Sequence, residues 1–246
     1  RRVWRAHRTA KRRDGVIVLP TEAEPVVVVC GDCMSVLREL PDGCVDAVVT
    51  DPPYGIGEAR GKNKSRGQLA TPRDYGVSDW DDKPCSPEQI AEMRRVSRWQ
   101  VIFGGNFFAL PPSSCWLVWD KLNSGDFADC ELAWTNLPKA VRRIQFRWNG
   151  MIRDGHDVRV HPTQKPVAVM RWCIQHLPAD CDLILDPFGG SGTTAVAAIH
   201  EGRRCLIVEK DPTYCEIIRR RVAEAQSAGM FAGVTEQPGL FDGETA

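Results

Sequence analysis

The segment VVTDPPYGIG, residues 48–57, places a carboxylate, a stiff backbone and an aromatic ring next to one another. An apolar, β-branched run stops at Asp51, and Pro52 and Pro53 follow at once. Because proline fixes φ at about −65° and has no N–H group, this backbone is rigid and lacks competing donors. Tyr54 then supplies an aromatic face. The segment therefore predicts fixed hydrogen-bond acceptors at the end of a buried strand.

Three other carboxylates end apolar runs, and a glycine-dense turn follows one of them. These carboxylates are Asp32, Asp186 and Glu209. In open α/β sheets, ligands bind outside the carboxyl ends of the strands. The turn DPFGGSGTTA begins at Asp186, and its glycines allow the backbone to approach a ligand closely. Tight packing within the protein is the alternative explanation for these glycines.

The glycine-dense turn lacks the features of a phosphate-binding loop. Thr193 and Thr194 have no adjacent lysine, and the glycine spacing does not match G-x-G-x-x-G. Glu209 ends the next strand, where a carboxylate suits the two hydroxyls of a ribose because it can accept from both. The C-terminal third therefore predicts a site for a nucleoside without a pyrophosphate.

The alternation of strands and helices predicts a doubly wound, mostly parallel α/β sheet. Continuous apolar runs, which are typical of parallel strands covered on both faces, occur at 25–32, 45–51, 182–186 and 205–211. The runs 131–136 and 141–150 predict two more strands, which we expect to be antiparallel. An amphipathic helix is predicted at 214–228.

Charge is unevenly distributed although the formal net charge is zero. Residues 1–13 carry seven Lys or Arg and no acid, and 60–73 and 139–159 are also basic. Three basic segments favour a polyanionic partner over a merely solvated surface. No apolar run reaches transmembrane length, so we expect a cytoplasmic protein. The ten cysteines are scattered apart from one C-x-x-C, which favours reduced thiols and no metal site.

Three ordered motifs make the sequence similar to the DNA amino-methyltransferases that use S-adenosylmethionine. They are DPPY at 51–54, HPTQKP at 161–166 and DPFGGSGTT at 186–194. Because DPPY precedes the cofactor turn, the order resembles the permuted β-group of these bacterial and phage enzymes. The resemblance covers residues 25–225 and implies a Rossmann-like methyltransferase sheet with circularly permuted motif order. Protein glutamine methyltransferases, with N-P-P-Y after the glycine turn, fit this order less well.

The resemblance implies a set of residues that bind S-adenosylmethionine. Asp186 and the turn after it would hold the methionine part, Glu209 the ribose hydroxyls and Asp32 the adenine amine. Lys165 would lie near the methionine carboxylate, although an ordinary surface lysine is the alternative. Asp32 is also suited to cap the following helix. The implied cofactor-binding residues are Asp32, Lys165, Asp186, Phe188, Gly189, Gly190, Ser191, Gly192, Thr193, Thr194 and Glu209.

The resemblance also implies what DPPY does. The exocyclic amine of a nucleobase is a poor nucleophile because its lone pair is delocalised into the ring. Two acceptors, the Asp51 carboxylate and the Pro52 carbonyl, would grip both N–H bonds and favour tetrahedral geometry. Tyr54 would stack on a base flipped out of duplex DNA. The implied catalytic residues are Asp51, Pro52, Pro53 and Tyr54, and no metal is needed.

The target base and the activity retain alternatives. Within the permuted group, D-P-P-Y usually accompanies the 6-amino group of adenine and S-P-P-Y the 4-amino group of cytosine, so we expect adenine. An RNA adenine methyltransferase is less well matched, because such enzymes usually have tryptophan in place of Tyr54. A catalytically silent nucleic-acid-binding module is the alternative from a different class, and the intact motifs oppose it.

The chain is predicted to have one methyltransferase domain, 15–228, between a flexible basic arm, 1–14, and a disordered tail, 229–246. Within the domain we expect a mobile DNA-contacting loop at 55–84 and a reduced target-recognition region at 122–160. The reduced region favours a short or relaxed target in double-stranded DNA. The predicted DNA-binding residues are Arg60, Lys62, Lys64, Arg66, Arg142, Arg143 and Arg147.

The tail contains QPGLF, residues 237–241, which resembles the peptides that bind bacterial sliding clamps. An inert tail is the favoured alternative, because five residues match easily by chance. The oligomeric state, monomer or homodimer, is left open.

Overall fold

The computed structural model describes residues 17–57, 81, 83–123, 128–149, 152–154 and 164–232. The expected basic arm lies outside these residues, as do most of the expected 55–84 loop and the clamp-like peptide. The predicted DNA-binding residues Arg60, Lys62, Lys64 and Arg66 also lie outside them.

An eight-stranded sheet forms the centre of the described chain. Its strands, in chain order, are β1 (Val26–Cys30), β2 (Val45–Thr50), β3 (Ser97–Phe103), β4 (Trp116–Asp120), β5 (Cys130–Thr135), β6 (Arg142–Gln145), β9 (Leu183–Asp186) and β10 (Arg204–Glu209), while β7 (Trp148–Asn149) and β8 (Ile152–Arg153) form a separate pair. The spatial order is β1-β10-β9-β2-β3-β5-β4-β6. The first five strands in this order are parallel, which confirms the predicted doubly wound, mostly parallel class.

Helices cover both faces of the sheet. They are α1 (Cys33–Glu39), α2 (Pro87–Val96), α3 (Val167–Gln175), α4 (Thr193–His200) and α5 (Pro212–Ala232). Neighbouring residues of β2 belong to different cores, because Val49 packs in the cluster that contains α3–α5 and Val48 in the cluster that contains α1 and α2. Burial on both faces explains why β2 is apolar at successive positions.

The antiparallel part of the sheet differs from the prediction at β6. Strand β5 is antiparallel to both β3 and β4, as expected. The expected antiparallel orientation is wrong for β6, which pairs with β4 in parallel. The predicted single strand at 141–150 also breaks after Gln145, because Trp148–Asn149 leaves the sheet to pair with Ile152–Arg153.

One helix boundary, one strand position and one exclusion complete the fold. Helix α5 reaches Ala232, four residues beyond the predicted end at Ala228. Strand β5 is an interior strand with Ala133 and Trp134 buried, so these two residues of the expected 122–160 recognition region lie in the sheet core. Among the described residues, no helix is long and apolar enough to cross a membrane.

Candidate active site

Four carboxylates lie in a row along the edge of the sheet that is formed by the carboxyl ends of its parallel strands. Asp186 and Glu209 are the last residues of β9 and β10, and Asp51 directly follows β2. Asp32 lies two residues after β1. Because these four strands are parallel and adjacent, their acids occur along the edge in the order Asp32, Glu209, Asp186, Asp51. Parallel pairing therefore assembles a site from residues far apart in sequence.

A cavity of about 490 Å³ opens at this edge, within the range of about 300–1,000 Å³ that is usual for small-molecule sites. The residues predicted from sequence that line it are Asp32, Asp51, Pro53, Lys165, Asp186, Phe188, Gly189, Gly190, Ser191, Thr193, Thr194 and Glu209. Pro52, Tyr54 and Gly192, which were also predicted, are not in its wall. Gly31 is in the wall, and a Cβ there would meet no heavy atom within 4 Å.

The glycine-dense turn joins β9 to α4, and two of its glycines serve packing. A Cβ on Gly189 would lie 2.8 Å from Cγ1 of Ile207. Gly192 adopts φ +80°, and a Cβ there would lie 3.0 Å from Ile218 in α5. The close approach of Gly192 to a ligand stays a prediction, because the close neighbour on its Cβ side is a helix of the protein and Gly192 does not line the cavity.

Glu209 is held in a fixed orientation at the cavity wall. Its Oε2 accepts the backbone N–H of Gly190 at 2.7 Å, and its Oε1 accepts that of Asp211 at 2.9 Å. Burial raises the pKa of Glu209, and these backbone donors oppose that rise. The carboxylate has lone pairs beyond those two bonds, so it can also accept from a pair of ligand hydroxyls.

Asp186 is buried at the start of the turn, with 3% of its surface exposed. Its Oδ1 accepts from the Thr50 hydroxyl at 2.6 Å and from the Phe188 N–H at 3.1 Å. Burial raises the pKa of Asp186 to about 7 despite these donors. The carboxyl group is therefore oriented toward the cavity from a low-dielectric position, where an approaching cation favours its charged form.

Asp32 has the helix-capping role that the sequence also allowed. It is the N-cap of α1, and its Oδ1 accepts the N–H of Ser35 at 3.0 Å. Because Asp32 also lines the cavity, capping and ligand contact are compatible in this position.

The DPPY segment is tied down by a residue that sequence reasoning missed. Oδ1 of Asp81 accepts the backbone N–H groups of Tyr54 and Gly55, both at 2.9 Å. The Pro53 carbonyl accepts the N–H of Cys85 at 2.9 Å. Asp81 is 2% exposed, so this part of the expected 55–84 loop is buried against the segment. No motif marks Asp81, because the surrounding sequence has no apolar periodicity.

Asp51 is engaged at both carboxylate oxygens. The Tyr54 hydroxyl donates to Oδ1 at 2.5 Å, and the Lys165 ammonium donates to Oδ2 at 2.5 Å. Lys165 thus lines the cavity and also contacts the expected catalytic carboxylate, while its position near a methionine carboxylate stays a prediction. Burial raises the pKa of Asp51, whereas the Lys165 charge lowers it.

Two further charged residues extend this contact, and no sequence motif marks either of them. Nζ of Lys165 lies 2.9 Å from Oε2 of Glu131, and Lys121 pairs with Oε1 of the same carboxylate. Glu131 is on β5, and Lys121 directly follows β4. Burial opposes ionisation of Glu131, but the two lysines lower its pKa to about 2.

An aromatic cluster stands beside Asp51. The Tyr54 ring stacks on Phe107, with ring centroids 5.1 Å apart and planes 14° apart, and meets the edge of Phe108. Gly104, at φ +68°, leaves room for the Tyr54 ring, because a Cβ there would overlap it. Phe107 is 47% exposed, so this cluster presents an apolar aromatic surface to solvent.

Basic residues of the predicted DNA surface lie at the far edge of the sheet. Arg142 and Arg143 are exposed on the edge strand β6, and Arg143 lies 3.7 Å from Asp120. Arg147 is half-buried just beyond β6, where its backbone N–H donates to Asp154 at 2.7 Å. Within the described ranges, no group of three or more His, Cys, Asp or Glu residues is arranged to hold a metal ion.

Comparison with solved structures shows the same fold. The crystal structure of the M1.HpyAVI–SAM complex superposes with a TM-score of 0.52 at 22% identity, covering 80% of this chain and 98% of that one. The cytosine-N4-specific PvuII DNA methyltransferase superposes with a TM-score of 0.50 at 15% identity, covering 82% and 90%. Identities this low establish a shared fold only.

Sequence comparisons show similarity to DNA methylases. The chain is 24% identical to the type II methyltransferase M2.LlaDCHI of Lactococcus lactis subsp. cremoris, over 85% of this chain and 93% of the relative. It is 27% identical to the putative methylase YubD of Escherichia coli K12, over 80% and 90%. The N6_N4_Mtase family model, described as DNA methylase, matches residues 110–220. The chain is therefore similar to N6/N4 DNA methylases.

Proposed function

We propose that the protein transfers the methyl group of S-adenosylmethionine to the 6-amino group of an adenine flipped out of double-stranded DNA. The observation that carries this proposal is the position of Asp51. Its carboxylate stands in the wall of the cavity, beside the glycine turn, at the end of a parallel strand. A target amine at Asp51 would therefore be next to a cofactor in the cavity.

The cavity fits the cofactor that this family uses. Glu209 suits the ribose hydroxyls, Asp186 suits the cationic amino group of the methionine part, and Asp32 suits the adenine amine. The open space at Gly31 and the backbone of the glycine turn leave room for the nucleoside. S-adenosylmethionine supplies an electrophilic methyl group on a sulfonium, so the protein needs to position a nucleophile rather than to activate a leaving group.

Asp51 and the Pro52 carbonyl are the proposed acceptors for the two N–H bonds of the amine. An ionised carboxylate has about four lone-pair sites, so Asp51 can accept a third donor beside Tyr54 and Lys165. The Pro53 carbonyl is already occupied by Cys85, whereas no described residue donates to the Pro52 carbonyl. The Pro52 carbonyl therefore remains available as an acceptor, and the proline rings fix its direction.

Lys165 keeps Asp51 ready to accept. Burial alone would favour the neutral carboxylic acid, which is a poor acceptor. The Lys165 ammonium at 2.5 Å offsets part of that penalty and favours the carboxylate. Burial alone would lower the pKa of Lys165, but Asp51 and Glu131 together raise it, so the lysine is charged at neutral pH.

Tyr54 and Phe107 form the proposed platform for the flipped base. Bases stack readily on aromatic side chains, and the partly exposed Phe107 ring extends the Tyr54 surface toward solvent. Because the Tyr54 hydroxyl also donates to Asp51, the platform and the acceptor have a fixed relation.

Adenine is the proposed base because DPPY has an aspartate at its first position. The 4-amino group of cytosine is the second candidate, since the similarly folded PvuII enzyme is cytosine-N4-specific. The basic residues Arg142, Arg143 and Arg147 are the proposed DNA contacts within the described chain, and we infer a short or relaxed target. We also propose that residues 237–241 bind a sliding clamp. Deletion of that peptide without loss of clamp binding would contradict this part of the proposal alone.

The test is incubation of duplex DNA and of RNA with isotopically labelled S-adenosylmethionine, followed by mass spectrometry of the nucleosides. We expect label in 6-methyladenine from DNA. Label in 4-methylcytosine would replace adenine by the second candidate, and label only in RNA would contradict the DNA substrate. No label in either nucleic acid would support a silent binding module.

A further inference from the structure

A chain of four charged side chains leads away from the proposed acceptor. It consists of Asp51, Lys165, Glu131 and Lys121, which alternate in sign and come from four separate segments. Their side chains are 20%, 7%, 21% and 20% exposed in that order. The group is electrically neutral as a whole, and removal of one member leaves an uncompensated charge in a poorly hydrated place.

The contacts of Lys165 with its two carboxylates differ in geometry. Its contact with Oδ2 of Asp51 is a hydrogen bond, whereas its contact with Oε2 of Glu131, at 2.9 Å, lies outside hydrogen-bond geometry. Oε2 of Glu131 is buried and has no hydrogen-bond partner among the described residues. Glu131 therefore acts on Lys165 through its charge, and it compensates part of the ammonium charge that Asp51 would otherwise neutralise alone.

We propose that Glu131 is a positioning residue for methyl transfer, which holds Lys165 between two carboxylates and keeps the Asp51 carboxylate a strong acceptor. The proposal rests on the proposed function. As the nitrogen–carbon bond forms, the electron pair of the carbon–sulfur bond goes to sulfur and positive charge develops on the amine nitrogen. A group of charged side chains whose net charge is zero stabilises this developing positive charge better than a group with one excess lysine charge.

Charge balance makes a prediction that a packing role does not. Glu131→Gln leaves one excess positive charge, so we expect single-turnover transfer to slow by about 10- to 100-fold, the effect of a unit charge a few ångströms away. Lys121→Met removes the outer lysine and should change the rate by less than about threefold. The double variant, Glu131→Gln with Lys121→Met, is neutral again. We therefore expect it to recover, on a logarithmic scale, at least about half of the rate that Glu131→Gln loses.

The pH profile gives a second readout. Asp51 faces Lys165, Glu131 and Tyr54, and Asp186 stands beside it on β9. The Glu131 charge raises the pKa of Asp51. Removal of the Glu131 charge should therefore shift the acid limb of the pH–rate profile to lower pH. Removal of Lys121 leaves an excess negative charge and should shift that limb to higher pH. Opposite shifts are not expected from a loss of packing.

The experiment measures single-turnover rates across pH, cofactor affinity by calorimetry and thermal stability for the wild type and the three variants. We expect cofactor affinity to stay within about threefold, because Glu131 does not line the cavity. Glu201→Gln is the matched control, since it removes a carboxylate paired with Arg171 at the far end of α4. Its rate should equal that of the wild type.

The outcomes separate this inference from the function on which it rests. Equal rates in the wild type and Glu131→Gln would overturn the inference alone, as would a double variant slower than Glu131→Gln. A wild type that transfers no methyl group to nucleic acid would overturn both. If Glu131→Gln does not fold, charge balance predicts that the neutral double variant folds and that Lys121→Met shifts the acid limb upward; failure of either would overturn the inference.

Discussion

Asp51 combines two opposing demands in one side chain. It is buried enough for its pKa to rise, yet its proposed role as an acceptor for an amine requires the ionised form. Lys165 resolves this conflict at Oδ2, and Tyr54 orients Oδ1. The arrangement follows from position, because the acid directly follows β2 and the lysine lies two residues before α3. Proximity of the two therefore requires the folded sheet.

Asp186 makes stability depend on pH. Its pKa is about 7 in the folded protein and 3.8 when unperturbed, so the folded state holds the proton more tightly. This contribution to stability is fully present below pH 3.8 and is lost as pH rises through 7.

Between pH 5.5 and 8 we expect the free energy of unfolding of the wild type to fall by about 2 kcal/mol more than that of Asp186→Asn. Urea unfolding of the cofactor-free protein at both pH values measures the difference. Parallel pH dependences in the two proteins would show that Asp186 is ionised throughout this range.

The predictability of individual residues depended on their setting. Asp32, Asp51, Asp186 and Glu209 could be predicted because each follows an apolar run, and parallel strands bring such ends together. Asp81, Glu131 and Lys121 could not, because their partners are set by tertiary contacts that leave no local pattern. Glu131 in CELAWT looks like an ordinary polar position of a strand.

At the scale of elements, parallel pairing places the site and short anchored segments complete it. The segment after β2 has no regular structure of its own, so its shape depends on hydrogen bonds from outside. Asp81 supplies two of these bonds, and Cys85 supplies a third through the Pro53 carbonyl. The proposed acceptors are therefore positioned by residues some thirty positions further along the chain.

Asp81→Ala tests this anchoring. The change leaves the N–H groups of Tyr54 and Gly55 without an acceptor, and we expect the free energy of unfolding to fall by about 2–4 kcal/mol. Asp81→Asn keeps an acceptor oxygen in the same place and should lose much less. Urea unfolding measures both variants; equal losses would mean that the acceptor oxygen does not hold the segment.

The predicted strand direction was wrong for β6, where only the polarity of the sequence was available to indicate it. The run 141–150 was predicted as one antiparallel strand, but only Arg142–Gln145 joins the sheet, parallel to β4. An edge strand with one buried residue, Ile144, carries too little pattern to fix its direction. The buried parallel strands were predicted well because burial on both faces makes them apolar throughout.

At the scale of the whole molecule, the cavity and the basic edge are on different parts of the sheet. Strands β1, β10, β9 and β2 carry the cavity, whereas β6 lies at the opposite edge with Arg142 and Arg143 exposed. The stacked Tyr54 and Phe107 stand beside Asp51. Under the proposed function, we expect a bound duplex to contact the β6 side while its flipped base reaches Asp51.

Arg142→Gln with Arg143→Gln tests the β6 contact. If each arginine neutralises one phosphate, the slope of log affinity against log salt should fall by about 1.8, at about 0.9 for each phosphate. Arg219→Gln with Arg220→Gln on α5, which packs against the other edge of the sheet, is the matched control. Fluorescence anisotropy with labelled duplex DNA measures both; equal slopes would remove β6 from the DNA surface.

The central claim is that Asp51 accepts from the target amine. It is tested most directly by single-turnover methyl transfer to duplex DNA with the wild type, Asp51→Ala and Asp51→Asn, beside calorimetric titration of S-adenosylmethionine. We expect transfer to 6-methyladenine by the wild type, no detectable transfer by Asp51→Ala, and cofactor binding within about tenfold in all three. Wild-type turnover in Asp51→Ala would contradict the claim.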